Sequence, residues 1–171
     1  MASPRAAMGG EKTTIGWVEK AWIKEADIVL NARIGTGTRT SSLDADDIHV
    51  FTSGNNTSVR FVIERINGKP VKIERLLIRF AQFKKQGQGI ERRPVVELGI
   101  CINGVYQTTE VILLDRNQSK YPLLIGRKLL AENFIVDSEK RFSKPPHCIE
   151  MPKEEHSSGI IVHHELGPSG E

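Results

Sequence analysis

An all-β domain with one short helix near its C-terminal end is the fold class this sequence predicts, and three observations carry the prediction. Asn67-Gly68 and Asn103-Gly104 each stand between apolar runs, the strongest short-range hairpin signal. Residues 59–66 alternate apolar and polar side chains for most of their length, the period of a half-buried strand. Only one stretch, from Lys128 to about Glu132, reads as helix. Two hairpins so close together favour an antiparallel sheet.

The elements follow in order. Residues 13–23 carry β-branched and aromatic side chains and form a first strand. Ala26-Asp27 connects it to a second, Ile28–Ile34, which runs into the tight turn Gly35-Thr36-Gly37. A polar segment follows, then a third strand at residues 46–52. Ser53-Gly54-Asn55-Asn56 is a turn of residues that tolerate positive φ. Residues 59–66 pair through Asn67-Gly68 with residues 71–83, and residues 84–89 are a charged, glycine-rich break. Residues 94–102 turn at Asn103-Gly104 into Val105–Leu114. Residues 115–120 are a loop, Leu123–Ile125 a short buried strand, and Phe134–Asp137 a closing strand after the helix. This divides the chain into a leader (1–12), one domain (13–142) and a flexible tail (143–171), whose prolines, glycines and Glu/His/Ser cluster leave little to bury.

Composition excludes more than it assigns. At 171 residues the chain can bury one sizeable core. A net charge of +3 is too mild to argue for nucleic acid. Cys101 and Cys148 lie far apart, so neither a disulfide framework nor a Cys-x-x-Cys metal pair is expected. No apolar run reaches the roughly 18–20 residues of a membrane span. The first ten residues lack the apolar centre of a secretory signal. A cytoplasmic location follows, although a mature chain stripped of its signal would read the same and leaves the periplasm open.

Two phrases carry the chemistry: Ala32-Arg-Ile-Gly-Thr-Gly-Thr-Arg-Thr-Ser-Ser-Leu-Asp-Ala45 and Tyr121-Pro-Leu-Leu-Ile-Gly-Arg-Lys-Leu-Leu130. An early strand and turn, then an apolar strand ending Gly-Arg before a helix, resembles a retropepsin-type aspartic peptidase subunit. With Ile15-Gly-Trp-Val-Glu19, Ile90-Glu-Arg-Arg-Pro-Val-Val96 and Leu113-Leu-Asp-Arg-Asn117 in the same order, the chain is similar over residues 15–142 to one bacterial and archaeal family. That family is known as ATP-dependent zinc proteases; its members are retropepsin-like and often encoded beside RimK-type, ATP-grasp glutamate ligases.

The resemblance implies a closed, barrel-like fold and a homodimer in which each subunit brings one Asp. The two carboxylates share a proton, one acting as base on water and the other polarising the peptide carbonyl. Family members read Asp-Thr-Gly-Ala-Arg-Thr-Ser-Ala-Leu-His-Ala in the first phrase. Here Gly35 replaces the catalytic Asp, Thr38 and Ser42 replace Ala, and Asp44 replaces His. Thr36 takes the bracing role and Gly37 the close approach between turns, while Leu124, Ile125 and Gly126 pack beneath the site. Asp44 alters the substrate rim.

Arg39, Arg92, Arg93, Arg116 and Arg127 fall in or beside these phrases. Guanidinium grips carboxylates bidentately, and the link with glutamate ligases implies a peptide or protein substrate rich in glutamate. Pairing with Glu64, Glu91, Glu97 or Asp115 on the surface is the alternative for each. Neither zinc nor ATP finds support: there is no His-Glu-x-x-His, and Gly87-Gln-Gly89 is not followed by Gly-Lys-Ser/Thr. His147, Cys148, His156, His163 and His164 sit in the expected tail, so no metal or other cofactor is expected. Two functions remain. One is an aspartic endopeptidase scaffold, inactive with Gly35 unless Asp44, Asp46 or Asp47 substitutes; the other is a pseudoprotease that binds acidic tails without cutting them. Residues 63–73 and 84–89 are the candidate covers of the cleft.

Overall fold

The computed structural model describes residues 10–64, 68–115 and 119–152, which form twelve strands and one helix. Six strands close a ring. β2 (Val18–Ile23) pairs antiparallel with β3 (Ile28–Ile34), and β3 runs parallel to β11 (Leu123–Ile125). β11 is antiparallel to β4 (Ser41–Asp44), which lies parallel to β10 (Val105–Leu114). β10 pairs antiparallel with β9 (Gly89–Ile102), and β9 returns to β2 through Ile102 opposite Ala21. β8 (Arg79–Lys85) is added to the far end of β9. A separate sheet holds β5 (Asp46–Ser53), β6 (Asn56–Ile63) and β7 (Val71–Leu76), and β1 (Thr13–Gly16) lies parallel to β12 (Phe134–Asp137). The helix α1 (Arg127–Asn133) joins β11 to β12.

The local pattern explains the ring. In β3, Ile28, Leu30, Ala32 and Ile34 are buried while Val29 and Arg33 are exposed, so one face meets the core. Asn103 and Gly104 both have positive φ, 49° and 80°, the backbone a two-residue hairpin needs. At the bend before β3, Asp27 also has positive φ and accepts a hydrogen bond from Trp22 Nε1 at 2.8 Å.

Several expectations change in detail. Residues 13–23 are two strands, broken at Trp17, whose N–H donates to the Lys140 carbonyl at 2.9 Å. A Cβ at the preceding Gly16 would overlap that same carbonyl. Residues 71–83 likewise split, because the chain changes sheets there. Leu77 N–H donates to Thr57 O and Ile78 N–H to Val95 O, both at 2.9 Å. β4 falls in the segment read only as polar. The hairpins are antiparallel as expected, but ring closure depends on the parallel pairs β3–β11 and β4–β10. Asn67, Arg116, the first nine residues and the histidines at 156, 163 and 164 lie outside the described residues.

The cysteines are a correction. Cys101 and Cys148 form a disulfide, with Cα atoms 6.2 Å apart at a sequence separation of 47. Long-range backbone pairing makes this feasible. Phe142 N–H donates to Val18 O at 2.8 Å, so the segment after β12 runs along β2. Ser143 donates to the carboxylate of Glu19 through its N–H at 2.9 Å and its hydroxyl at 2.7 Å. Glu19 is fully buried and also accepts from Gly16 N–H at 2.6 Å. Residues 143–152, assigned to a tail by sequence, carry these contacts, and Pro146 among them is buried. Closing so long a loop constrains the unfolded chain, worth about 2–4 kcal/mol. Cys148→Ser should therefore lower the urea midpoint, and reductant should lower the parent to the same value. Equal midpoints with and without the bond would remove it as a structural staple.

Candidate active site

The two phrases read from sequence meet in space. β3 ends at Ile34, and the next N–H, that of Gly35, donates to the Ile125 carbonyl at 2.8 Å. The chain turns, with Thr38 N–H and hydroxyl both directed at the Gly35 carbonyl at 3.3 Å. It then passes the start of α1, where Arg127 N–H donates to Thr38 O and Lys128 N–H to Arg39 O, both at 2.9 Å. Gly126 N–H donates to the buried Ser41 hydroxyl at 3.0 Å. Two strand-ends thus lie across one another and satisfy each other's backbone groups. These bonds also occupy N–H groups that the first turn of a helix leaves without an internal partner.

Glycine has a different reason at each position. A Cβ at Gly126 would come within 2.7 Å of both Arg39 O and Thr40 C, backbone atoms that cannot step aside without breaking the crossing. A Cβ at Gly35 would meet Leu124 Cδ1 at 2.7 Å, then Thr38 Oγ1 at 3.1 Å and Ile125 O at 3.3 Å. The nearest of these is the end of a flexible side chain. Position 35 can therefore take a side chain if Leu124 turns, while position 126 cannot. Nothing lies within 4 Å of a Cβ built on Gly37.

Other site candidates are only partly gathered. Arg127 donates from Nη1 to Thr36 O at 3.1 Å, so its guanidinium sits on the turn, and Arg39 belongs to the crossing through its carbonyl. Leu124 and Ile125 contribute the contacts just given. Asp44 ends β4, half-buried, its N–H donating to Pro122 O at 2.8 Å. Asp46 and Asp47 begin β5, in the separate sheet. Arg92 and Arg93 are on the β8–β9 hairpin, where Arg92 lies 5.3 Å over the Phe80 ring and Arg93 pairs with Glu91. Among the described residues no group of three His, Cys, Asp or Glu could hold a metal ion, and no helix is long and apolar enough to cross a membrane.

Two participants escaped the sequence reading. Ser41 looked like one polar residue in a polar run, and only burial reveals its role. Glu110 on β10 accepts from Lys128 of α1 and from Arg79 of β8, at 3.1 Å in the latter case. The Lys128 hydrogen bond foremost, with Arg79 adding to it, holds the Glu110 carboxyl below its ordinary 4.5 against the opposing effect of burial.

Comparison with known proteins fits this geometry. The family described as retropepsin-like aspartic endopeptidase RimB matches residues 14–147. Proteins named probable alpha-L-glutamate ligase are similar too. One from Shewanella halifaxensis is 28% identical over 116 residues, covering 66% of this chain and 25% of the relative. One from Desulfotalea psychrophila is 27% identical over 130 residues, covering 74% and 28%. The chain thus spans only about a quarter of these relatives' length. A crystal structure of Legionella pneumophila Lpg0085, a protein of unknown function (DUF785), superposes with a TM-score of 0.67 at 28% identity, covering 78% of this chain and 98% of that one. Ring, crossed turns and a following helix are those of the retropepsin-like class. The chain belongs to the RimB-like family within it.

Two outcomes follow. Gly126→Ala should cost about 1–3 kcal/mol through overpacking, whereas Gly37→Ala should stay within about 0.5 kcal/mol; equal urea midpoints for the two variants would refute the crossing. Glu110, lowered in the folded state, contributes stability that is present above the ordinary value of 4.5 and lost as pH falls through the lowered one. A Glu110→Gln variant should show a flatter acid limb of stability against pH, and curves parallel to the parent's would refute that role.

Proposed function

We propose that this chain is a retropepsin-like subunit that binds acidic, glutamate-containing peptide segments and, with Gly35 in its turn, does not hydrolyse them. One observation carries the reading. The turn is held by hydrogen bonds to the segment that opens α1, yet position 35 offers no side-chain oxygen, and Leu124 Cδ1 stands 2.7 Å from where a Cβ would be. Thr36 is too weak a base to replace a carboxylate, and general acid–base help is worth roughly 10²–10⁴-fold per group. The names of the glutamate ligases similar to this chain, and Arg127 on the turn, support an acidic ligand.

The working unit is a two-fold homodimer, because one turn per chain cannot assemble a two-carboxylate site. The Cys101–Cys148 bond supports an oxidising compartment over the cytoplasm. In a Gly35→Asp variant the two-carboxylate mechanism should return, with Leu124 turned aside. That variant should cut glutamate-rich peptides in a pepstatin-sensitive reaction and sediment as a dimer, while the parent binds them without cleavage. Recovered activity identifies a peptidase scaffold disabled at one residue; binding without recovered activity identifies a pseudoprotease. Robust, pepstatin-insensitive cleavage by the parent would overturn both and redirect the search to Asp44, Asp46 and Asp47.

A further inference from the structure

The chain after β12 forms a strap on the outer face of β2. Side chains alternate along that strand: Ala21 and Ile23 enter the core, whereas Val18, Lys20 and Trp22 face the other way. Val18 is 1% and Trp22 2% exposed, yet neither belongs to a core cluster, so they are covered from outside the ring. The strap lies there. Phe142 N–H donates to Val18 O at 2.8 Å, and the Lys20 ammonium stands 5.3 Å from the Phe142 ring centroid. Cys148 bonds to Cys101, which is opposite Trp22 in register.

The strap has two halves. The first holds the ring by hydrogen bonds: Lys140 O accepts from Trp17 N–H at 2.9 Å, and Ser143 donates to Glu19 at 2.9 and 2.7 Å. Beyond Ser143 the described backbone bonds are internal, His147 N–H to Pro145 O at 2.9 Å and Met151 N–H to Cys148 O at 3.1 Å. Among the described residues, the disulfide and the buried Pro146 tie this second half to the ring. The first half reaches the crossed turns through Trp17. The Trp17 carbonyl accepts from Ile34 N–H at 2.8 Å, one residue before Gly35. Its ring meets that of Tyr121 edge-on at 5.9 Å, two residues before β11. One residue thus touches the strap and both segments that lead into the crossing.

We infer that the Cys101–Cys148 bond is a redox latch: closed, it holds the strap on β2 and keeps the crossed turns packed; opened, it releases the strap and loosens the turns. The two sulfurs fix the direction of attack, since Cys101 is fully buried and Cys148 is half-buried. A dithiol reductant supplies the electrons. Its thiolate attacks Cys148 Sγ, forms a mixed disulfide and expels Cys101 Sγ as a thiolate, which takes up a proton. The second thiolate of the reductant then closes on its own sulfur in the mixed bond and frees Cys148, which is protonated in turn. Two electrons reduce the protein bond to two thiols, and the reductant leaves as its disulfide. The latch rests on the crossed turns being the functional site and gives that site a regulation. Testing it needs no ligand, so a latch that fails leaves the proposed function standing, and failed peptide binding leaves the latch.

The full-length chain is compared oxidised and in dithiothreitol by amide resonances and hydrogen exchange, with circular dichroism to check that both forms are folded. On reduction the amides of Trp17, Ile34, Gly35 and Arg127 should shift together with those of the strap, while Phe61 in β6 should not. Exchange at Gly35 should quicken about tenfold or more relative to Phe61. Reoxidation should restore both, and a C101S/C148S variant should match the reduced chain and ignore the reductant. Shifts confined to residues flanking the two sulfurs, equal quickening at Gly35 and Phe61, or loss of the fold on reduction would each overturn the latch and leave the bond a static staple.

Discussion

The crossing of two strand-ends beside Gly126 is the constraint on which the rest of the molecule depends. Five hydrogen bonds tie residues 35–41 to residues 125–128. They join residues 85 to 91 positions apart in sequence, from the Gly126–Ser41 pair to the Arg127–Thr36 pair. Contacts at that distance carry a large loop-closure cost, and the ring's apolar core must offset it. β11 supplies part of that return, because Leu123 and Ile125 are fully buried and wedge between β3 and β4. With β11 seated, the parallel pairs form and the ring can close. Glycine at 126 is the local condition for all of this, since backbone atoms occupy the space beside it.

A second tie works from the opposite direction. Glu19 is a carboxylate with no exposed surface, and burying such a group is costly unless its oxygens are satisfied. Gly16 N–H, Ser143 N–H and the Ser143 hydroxyl satisfy them. The same contacts fix the bend between β1 and β2 and draw the chain after β12 back along β2. Cys148 is thereby delivered to Cys101. The disulfide therefore completes an arrangement that hydrogen bonds have begun, and it fastens residues 138–148 against the ring.

What sequence could reveal followed from how local each interaction is. β3, β11 and β12 were readable to the residue because their apolar patterns are written in the strands themselves. The Asn103-Gly104 hairpin was readable because its turn demands positive φ. β4 was not, since Ser41 and Ser42 look polar and are buried for reasons that lie on β10 and β11. The Cys101–Cys148 pair was missed because a separation of 47 residues says nothing about proximity until the Glu19–Ser143 contact is known. The family phrases implied that the Leu123–Gly126 segment lies beside the first turn, and Gly35 N–H meets the Ile125 carbonyl there. Arg92 and Arg93 belong to a hairpin with its own partners, Phe80 and Glu91.

The site shows that architecture and chemistry separate cleanly in this fold. The bonds holding the turn are backbone to backbone, or use the side chains of Ser41, Thr38 and Arg127; none needs a carboxylate at position 35. The geometry of the turn is therefore set without reference to the side chain at position 35. Leu124 then stands where that side chain would begin, an apolar neighbour that keeps the turn packed without it. An exposed edge strand is ordinarily a liability that charge helps to control. Here Lys84 and Arg92 discourage pairing with another basic edge, including a second copy of β8.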